Sequence, residues 1–518
     1  MSTTQQFKTQ FPRNAAMAIM SFVVLTLSAV WLTPYLLKHL GTAAYGLIPL
    51  AALLTQYVAI ITAELSGAVR RFLIIEMQRP GGNPNIIFNS ALLLYLLLIV
   101  VQVPLFAIAI FKINTIFSIP AELLFDAQLL FSCSAASFLI SLLFGVFGVS
   151  IYSKNRLDIS SAMDLVRGVS RLVFVVILFL LFTPRLRYIG YIELFLAIFL
   201  GFCNLYYWRK LTPELTINFR HIDVKFLPPI FKMSSWTLVN SLGALLYLRT
   251  DIWIINKFIS SAAAGQYAAI LVISNFIRQL GWMISQQFGP TVIIHCAKEE
   301  WDALRRLLQM SIKITAIIIA VPIGIICATA PELLKVWLGE DFISLAPIVW
   351  LTIVHLFINV GVSPLFNLQT AANKVKLPGL VTFFMGIANV IFVYLLGITF
   401  GMGVVGVALG GAIVLTLKNA IFTPLYGARI LKLPETAFMK PLVSSFLVIA
   451  FILVINQMPV AKWFGMISGY ASLAATAVYI LIAAAVFVWF VLISKQEKNL
   501  FLDMLPGKMA VYARKFAG

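Results

Sequence analysis

The sequence predicts an all-α polytopic membrane protein of about fourteen transmembrane helices, arranged as two six-helix bundles in parallel repeat plus two C-terminal helices. Three observations carry this. Hydrophobic residues make up 61% of the 518 positions and charged residues 11%, where a soluble domain has about 25% charged residues. The apolar residues fall in runs of about twenty, the length that crosses ~30 Å of hydrocarbon at ~1.5 Å per residue. The loops between the runs carry more Lys and Arg on one side than on the other.

The runs lie near 15–37, 44–65, 86–111, 123–149, 160–182, 188–208, 233–256, 264–294, 307–330, 343–371, 378–400, 403–427, 441–460 and 466–493. None alternates at every second residue, which excludes barrel strands. The first is too long for a signal-peptide core, and another run follows it at once, so it reads as a retained helix. With the N-terminus inside, the inner segments and the tail carry 25 Lys and Arg, including Lys495 and Lys498, and the outer ones 7: Lys38, Lys112, Arg185, Arg187, Lys257, Lys335 and Lys462. One helix more or fewer would invert every later loop and erase this bias. An even count with both termini cytoplasmic follows. The net charge of +19 then belongs to loops facing anionic lipid, and to an anionic cargo, rather than to nucleic acid. Inner stretches 66–79, 299–309 and 495–516 are amphipathic and read as interfacial helices or as ordinary charged loops.

An internal repeat sets the domain boundaries. Lys38-His-Leu-Gly-Thr-Ala-Ala-Tyr-Gly46 is matched by Lys257-Phe-Ile-Ser-Ser-Ala-Ala-Ala-Gly265, each joining the first helix of a half to the second. Ile189-Gly190 and Val405-Gly406 recur before the sixth and twelfth spans. The halves enter the membrane from the same side, as a parallel repeat requires. The expected domains are 1–210, an N-terminal six-helix bundle, 211–432, a C-terminal one, and 433–518, two added helices and a cytoplasmic tail.

The sequence holds no GxxxxGK[ST] phosphate loop, no HExxH and no GxSxG. Gly401, Gly403 and Gly406 spell GxGxxG, but between two apolar spans this is a tight outer turn, not a dinucleotide site. Cys133, Cys203, Cys296 and Cys327 are scattered and read as small packing residues. The expectation is a non-enzymatic protein with no catalytic residues, no metal site and no cofactor.

The informative residues are charges inside the spans, since each costs about 2.5–3.5 kcal/mol at a helix centre. Arg167, Arg171, Arg278 and Lys418 lie near mid-depth, Lys313 lies in the inner half of its span, and Arg249 and Asp251 lie toward the outer end of theirs. Asp164 and Arg167 are spaced i,i+3 and are expected to pair. Arg171 shares their face without a local acid. Arg249 and Asp251 are i,i+2 and face apart. Arg278 and Lys418 have no acid close in sequence, and Lys313 can snorkel inward. Either these side chains pair with distant carboxylates or they line a cationic cavity. Such a cavity suits a phosphate or pyrophosphate, which Arg grips bidentately and Lys holds as a point charge. Asn275, Gln279, Trp282, Gln286 and Gln287 on the eighth span read either as sugar contacts or as helix packing.

Several short segments, in order, carry a family resemblance: Leu37-Lys-His-Leu-Gly-Thr-Ala-Ala-Tyr-Gly46, Asp251-Ile-Trp-Ile-Ile-Asn-Lys-Phe258 with Gly265-Gln-Tyr267, Val336-Trp-Leu-Gly339, Ser363-Pro364 and Gly403-Val-Val-Gly-Val-Ala408. Over nearly its full length the chain resembles the polysaccharide flippases of the multidrug/oligosaccharidyl-lipid/polysaccharide exporter superfamily. The resemblance implies two bundles around a cationic cavity that opens alternately to each side of the cytoplasmic membrane. The implied cargo is an undecaprenyl-pyrophosphate-linked oligosaccharide bound for cell-surface polysaccharide. The implied partners are this glycolipid, membrane lipid, and a polysaccharide polymerase with glycosyltransferases. The substrate-binding candidates are Arg249, Asp251, Arg278, Lys418, Arg171 and Arg167, with Asp251 at the acid of the family's seventh helix. Three other readings stay open. Multidrug cation antiporters of the superfamily need buried carboxylates, and the first span has none. Lipid II flippases carry arginines in helix 1, and here none follows Arg13. The third is a membrane scaffold that transports nothing.

Overall fold

The structure, a computed structural model, describes residues 3–223, 225, 227–458 and 469–494. Lys462 and the amphipathic stretch 495–516, with its Lys495 and Lys498, lie outside the described residues. Hydrocarbon offers backbone N–H and C=O groups no water, so each crossing segment satisfies them within its own helix. The chain is accordingly an all-α polytopic membrane protein, with no strand among the described residues. Each of the fourteen apolar runs is helical over most of its described residues, with breaks inside the fourth and tenth. Eleven helices are long and apolar enough by themselves to cross a membrane. The first of these, Arg13–Gln78, contains two runs. It belongs to α1 (Thr3–Gln78), which breaks at Gly41, where φ is 78° and ψ 166°, a region that costs glycine nothing. The remaining two runs are α6 (Leu157–Leu181), which carries the four charged residues Asp158, Asp164, Arg167 and Arg171, and the short apolar helix Lys440–Ile455.

By compactness the chain divides into Met1–Val272 with Val375–Leu415, and Ile273–Lys374 with Thr416–Gly518. In the first unit α2 (Pro84–Phe111), α4 (Leu124–Gly145) and α7 (Arg187–Leu211) pack with the inner part of α1 around Leu73, Phe88, Tyr95 and Trp208. α3 (Ile113–Ile116) and the residues after it are tied to the C-terminal end of α8 (Leu227–Phe258): Trp253 Nε1 donates to Ile116 O at 3.0 Å and Asn256 Nδ2 to Ser118 O at 3.1 Å. α1 also meets the start of α9 (Ser261–Ala297), through the repeat segments themselves. A Cβ added to Gly46 would lie 2.7 Å from the backbone nitrogen of Gly265, and one added to Gly265 would overlap the carbonyl oxygen of Thr42. Small residues at such a crossing let two backbones touch.

In the second unit α10 (Trp301–Ala328) packs on α13 (Leu356–Gly361) and α18 (Val443–Ile455), with a core of Leu304, Leu308, Ile312, Val362 and Phe438. The tenth apolar run is not one helix. It breaks into α12 (Ala346–Ile353), α13 and α14 (Pro364–Ala371). Wide π-type turns occupy Leu395–Thr399, Leu417–Phe422 and Val488–Leu492. They follow α15 (Lys376–Tyr394), α16 (Gly403–Thr416) and α19 (Tyr470–Phe487). Such turns concentrate at functional positions.

One polar hub anchors the N-terminal helix. Asp158 is 3% exposed and sits just before the apolar run that begins near Ser160. Its carboxylate accepts from Arg156 Nε at 2.9 Å, Arg156 Nη2 at 3.0 Å and Gln10 Nε2 at 2.9 Å, with Arg13 Nε at 2.9 Å. Burial pushes this carboxyl up, but Arg156 and then Arg13 pull it further down, leaving it below its ordinary value. A depressed carboxyl contributes stability that is present above its unfolded pKa, ~3.9, and lost as pH falls through its folded value. Asp158→Asn should therefore melt below the parent at pH 7, and the gap should close as pH falls through the carboxylate range. An equal gap at pH 7 and pH 3.5 would rule out this electrostatic account.

Candidate functional site

The candidate charges inside the spans fall into three groups, two in the first unit and one in the second. In the first unit, α6 turns Ser160, Asp164, Arg167 and Arg171 to one side, while Val166, Val169, Val173 and Ile177 on the other side are exposed, as a helix with one polar and one lipid face requires. Arg167 does not pair with Asp164 as their spacing predicts. Its Nη2 donates to Glu193 Oε2 at 2.9 Å, and Arg171 Nε approaches Glu193 Oε1 at 3.2 Å. Glu193 comes from α7, the next helix, and lies between both guanidinium groups. Asp164 lies too far along the helix to serve both. With Asp164 on the same side of α6, two arginines and two carboxylates share this face.

Farther along the unit, α8 carries Arg249 and Asp251. Thr250 between them bonds the hydroxyl of Tyr57 at 2.8 Å. Asp251 is 9% exposed. Its Oδ2 accepts from Tyr267 Oη at 3.2 Å and its Oδ1 from Asn389 Nδ2 at 3.3 Å. The same Asn389 keeps a buried Oδ1 with no hydrogen-bond partner among the described residues. Gly411 leaves space beside the carboxylate: a Cβ there would stand 3.2 Å from Asp251 Oδ2. A buried carboxylate beside an unclaimed amide oxygen can take a proton or a small hard cation. No group of three His, Cys, Asp or Glu that could hold a metal occurs among the described residues. Arg249 is half-buried, and among the described residues it makes no hydrogen bond, ion pair or ring contact. The i,i+2 spacing does separate it from Asp251.

The second unit holds Arg278 on α9 and Lys418 in the wide turn after α16. Lys418 is 6% exposed, and its ammonium lies 5.3 Å from the ring centre of Phe366 on α14. Such a cation over an aromatic face is stabilised by the ring quadrupole. His355 and Asn359 belong to the same polar interior. Asn359 Nδ2 hydrogen-bonds His355 Nδ1 and reaches Thr416 Oγ1 at 3.4 Å, and the Arg278 charge acts on the His355 ring. Asn359 Oδ1 is buried without a partner among the described residues. Sequence reasoning missed His355 and Asn359, four residues apart in the tenth apolar run, and Asn389 in the eleventh. The one signal available was that polar residues inside such runs need internal partners.

No protein-family profile matches the chain. It is 28% identical over 498 residues, 95% of this chain and 97% of the relative, to an uncharacterized membrane protein, EpsK, of Bacillus subtilis strain 168. Among solved structures it is similar to the lipid II flippase MurJ in an inward closed conformation, with a TM-score of 0.68 at 14% identity over 92% of this chain and 98% of that one. It is also similar to the MATE multidrug transporter DinF-BH, with a TM-score of 0.60 at 15% identity over 82% of this chain and 97% of that one. A MATE transporter of the MOP superfamily, inward-facing, gives 0.57 at 14% identity over 85% and 98%. The polytopic helical fold of this chain is therefore the one that MurJ shares with the MATE transporters.

Proposed function

We propose that the chain is a flippase that moves an undecaprenyl-pyrophosphate-linked oligosaccharide across the cytoplasmic membrane by alternating access, for cell-surface polysaccharide assembly. The bundles 1–210 and 211–432 are the moving parts, 433–518 is an addition, and both termini are cytoplasmic. A polymerase and glycosyltransferases supply and consume the cargo. The observation that carries this reading is Arg249. A half-buried guanidinium at membrane depth with no partner among the described residues is costly unless an aqueous cavity or an anionic ligand meets it. Arg278 and Lys418 in the second unit, and Asp251, Arg171 and Arg167 in the first, are the further substrate-binding residues of this reading, the basic ones suited to phosphate oxygens. Without a nucleotide-binding loop, the energy comes from an ion gradient or from consumption of the cargo on the far side. Asp251, with Asn389 beside it, is the group best suited to couple an ion.

Vesicles containing the purified protein and the glycolipid, probed with an impermeant glycosidase, test this. The parent should expose glycan on the opposite face. Arg249→Ala should slow that at least tenfold and Arg249→Glu should abolish it, with protein level unchanged. Glycolipid that never crosses, or full activity of Arg249→Glu, would refute the proposal. Uptake of lipophilic cations instead would identify a cation exporter.

A further inference from the structure

A second polar cavity lies within the first unit, away from Arg249 and Asp251. It measures about 250 Å³, and its lining includes Arg70, Tyr152, Asp164, Arg167, Asn204 and Gly145. The helices that form it are α1, α4, α6, α7 and α5 (Val149–Ser153). Its chemistry is unusual for membrane depth. Among the described residues, Asp164 and Asn204 make no side-chain hydrogen bond, and no ion pair reaches Asp164. Arg70 has no acid within ion-pair distance among the described residues, and its guanidinium lies 4.5 Å from the ring centre of Tyr152. Asp164 and Arg167 are exposed at the cavity and Arg70 and Asn204 half-buried, so these groups are accessible to an occupant that can hydrogen-bond with them. Gly145 leaves the wall open, since a Cβ there would meet no atom within 4 Å.

The lining charges discriminate between occupants. A free phosphate would meet the Asp164 carboxylate, and an inorganic cation would meet two guanidinium groups. A neutral polyol meets neither objection. Its hydroxyls both donate and accept, as a lining of one carboxylate, one amide and two arginines requires. The aromatic rings of Tyr152 and Phe144 in the lining suit the apolar C–H face of a sugar ring, which stacks on an aromatic face. At this volume, room for about eight waters at ~30 Å³ each, the cavity takes one ring rather than a long chain. We propose that this cavity is a saccharide subsite that holds one neutral sugar of the cargo at the inner end of the N-terminal bundle. The inference rests on the flippase reading for its cargo, but the cavity binds free sugar whether or not the protein transports.

Binding to the purified full-length protein in detergent tests it, followed by saturation-transfer NMR. The probes are free glucose, galactose, N-acetylglucosamine and N-acetylgalactosamine, with inorganic phosphate and sodium in parallel. At least one sugar should bind saturably in the millimolar range. Asp164→Asn, which keeps shape but not charge, should weaken it at least tenfold. Gly145→Leu, which fills the cavity and removes no polar group, should do the same. Gly67→Ala, on a helix position with no atom within 4 Å of its added Cβ, should bind like the parent. No binding of any of the four sugars overturns the subsite, as does binding that survives both cavity variants. Sugar binding without glycolipid transport counts against the flippase reading alone, and transport without sugar binding counts against the subsite alone.

Discussion

Gly265→Ala should cut transport at least tenfold, although it adds one methyl group. That methyl would overlap the carbonyl oxygen of Thr42 in α1, and the Gly46 position opposite already lies within 2.7 Å of the Gly265 nitrogen for an added Cβ. The obstructing atoms are backbone and cannot rotate away, so α1 and α9 must separate. Overpacking of this kind costs about 1–3 kcal/mol. An alternating-access protein reads that cost as a displaced equilibrium, since ~2 kcal/mol changes a population ratio about thirtyfold. Gly265→Leu should be worse, and Gly46→Ala comparable. Gly67→Ala is the control, because no atom lies within 4 Å of its added Cβ; replacing a helical glycine there should stabilise by up to ~1 kcal/mol. Transport in vesicles and melting in detergent are the two measurements. If Gly265→Ala transports as well as Gly67→Ala, the crossing is not part of the cycle.

Reversing the charge at Arg278 or Lys418 should abolish export. A charge-assisted hydrogen bond is worth ~1.5–3 kcal/mol net, and each ~1.4 kcal/mol is tenfold in affinity, so Arg278→Ala should weaken cargo binding about ten- to a hundredfold. Arg278→Lys should restore only part, because the planar fork is lost. At position 418 the better neutral variant is methionine. The lysine stem is 6% exposed and packs by Phe366, so truncation to alanine would also leave a void. Lys418→Met keeps most of the volume and removes the charge. If the two residues serve folding alone, the variants should lose membrane abundance before they lose activity per molecule. Export at the normal rate by well-inserted Arg278→Glu would end the assignment for that residue.

Much of the fold is legible in the sequence because the membrane simplifies it. Apolar length and loop charge respond to one coordinate, depth, and both are local. The break at Gly41 and the small residues around Gly46 and Gly265 are legible too, through their recurrence in each half. Side-chain partners are another matter. The spacing of Asp164 and Arg167 points to a pair within one turn, yet Glu193 reaches both Arg167 and Arg171 from the neighbouring helix. A shared partner of that kind has no sequence period. Asp251 takes Asn389 from a helix far along the chain, a contact that only packing can specify. The wide turn at Leu417–Phe422 shifts the angular phase of Lys418, so counting at 3.6 residues per turn misplaces its direction.

The triad of Arg167, Arg171 and Glu193 also bears on how the chain enters the bilayer during synthesis. α6 is absent from the helices apolar enough to cross by themselves. With Asp164, Arg167 and Arg171 each costing about 2.5–3.5 kcal/mol near a helix centre, its insertion alone is unfavourable. The glutamate that pairs with both arginines emerges next from the ribosome, on α7, after a connection of only residues 182–186. The two helices are thus built to partition into lipid together, as one hairpin, and α6 acquires its membrane position only once its successor has been made.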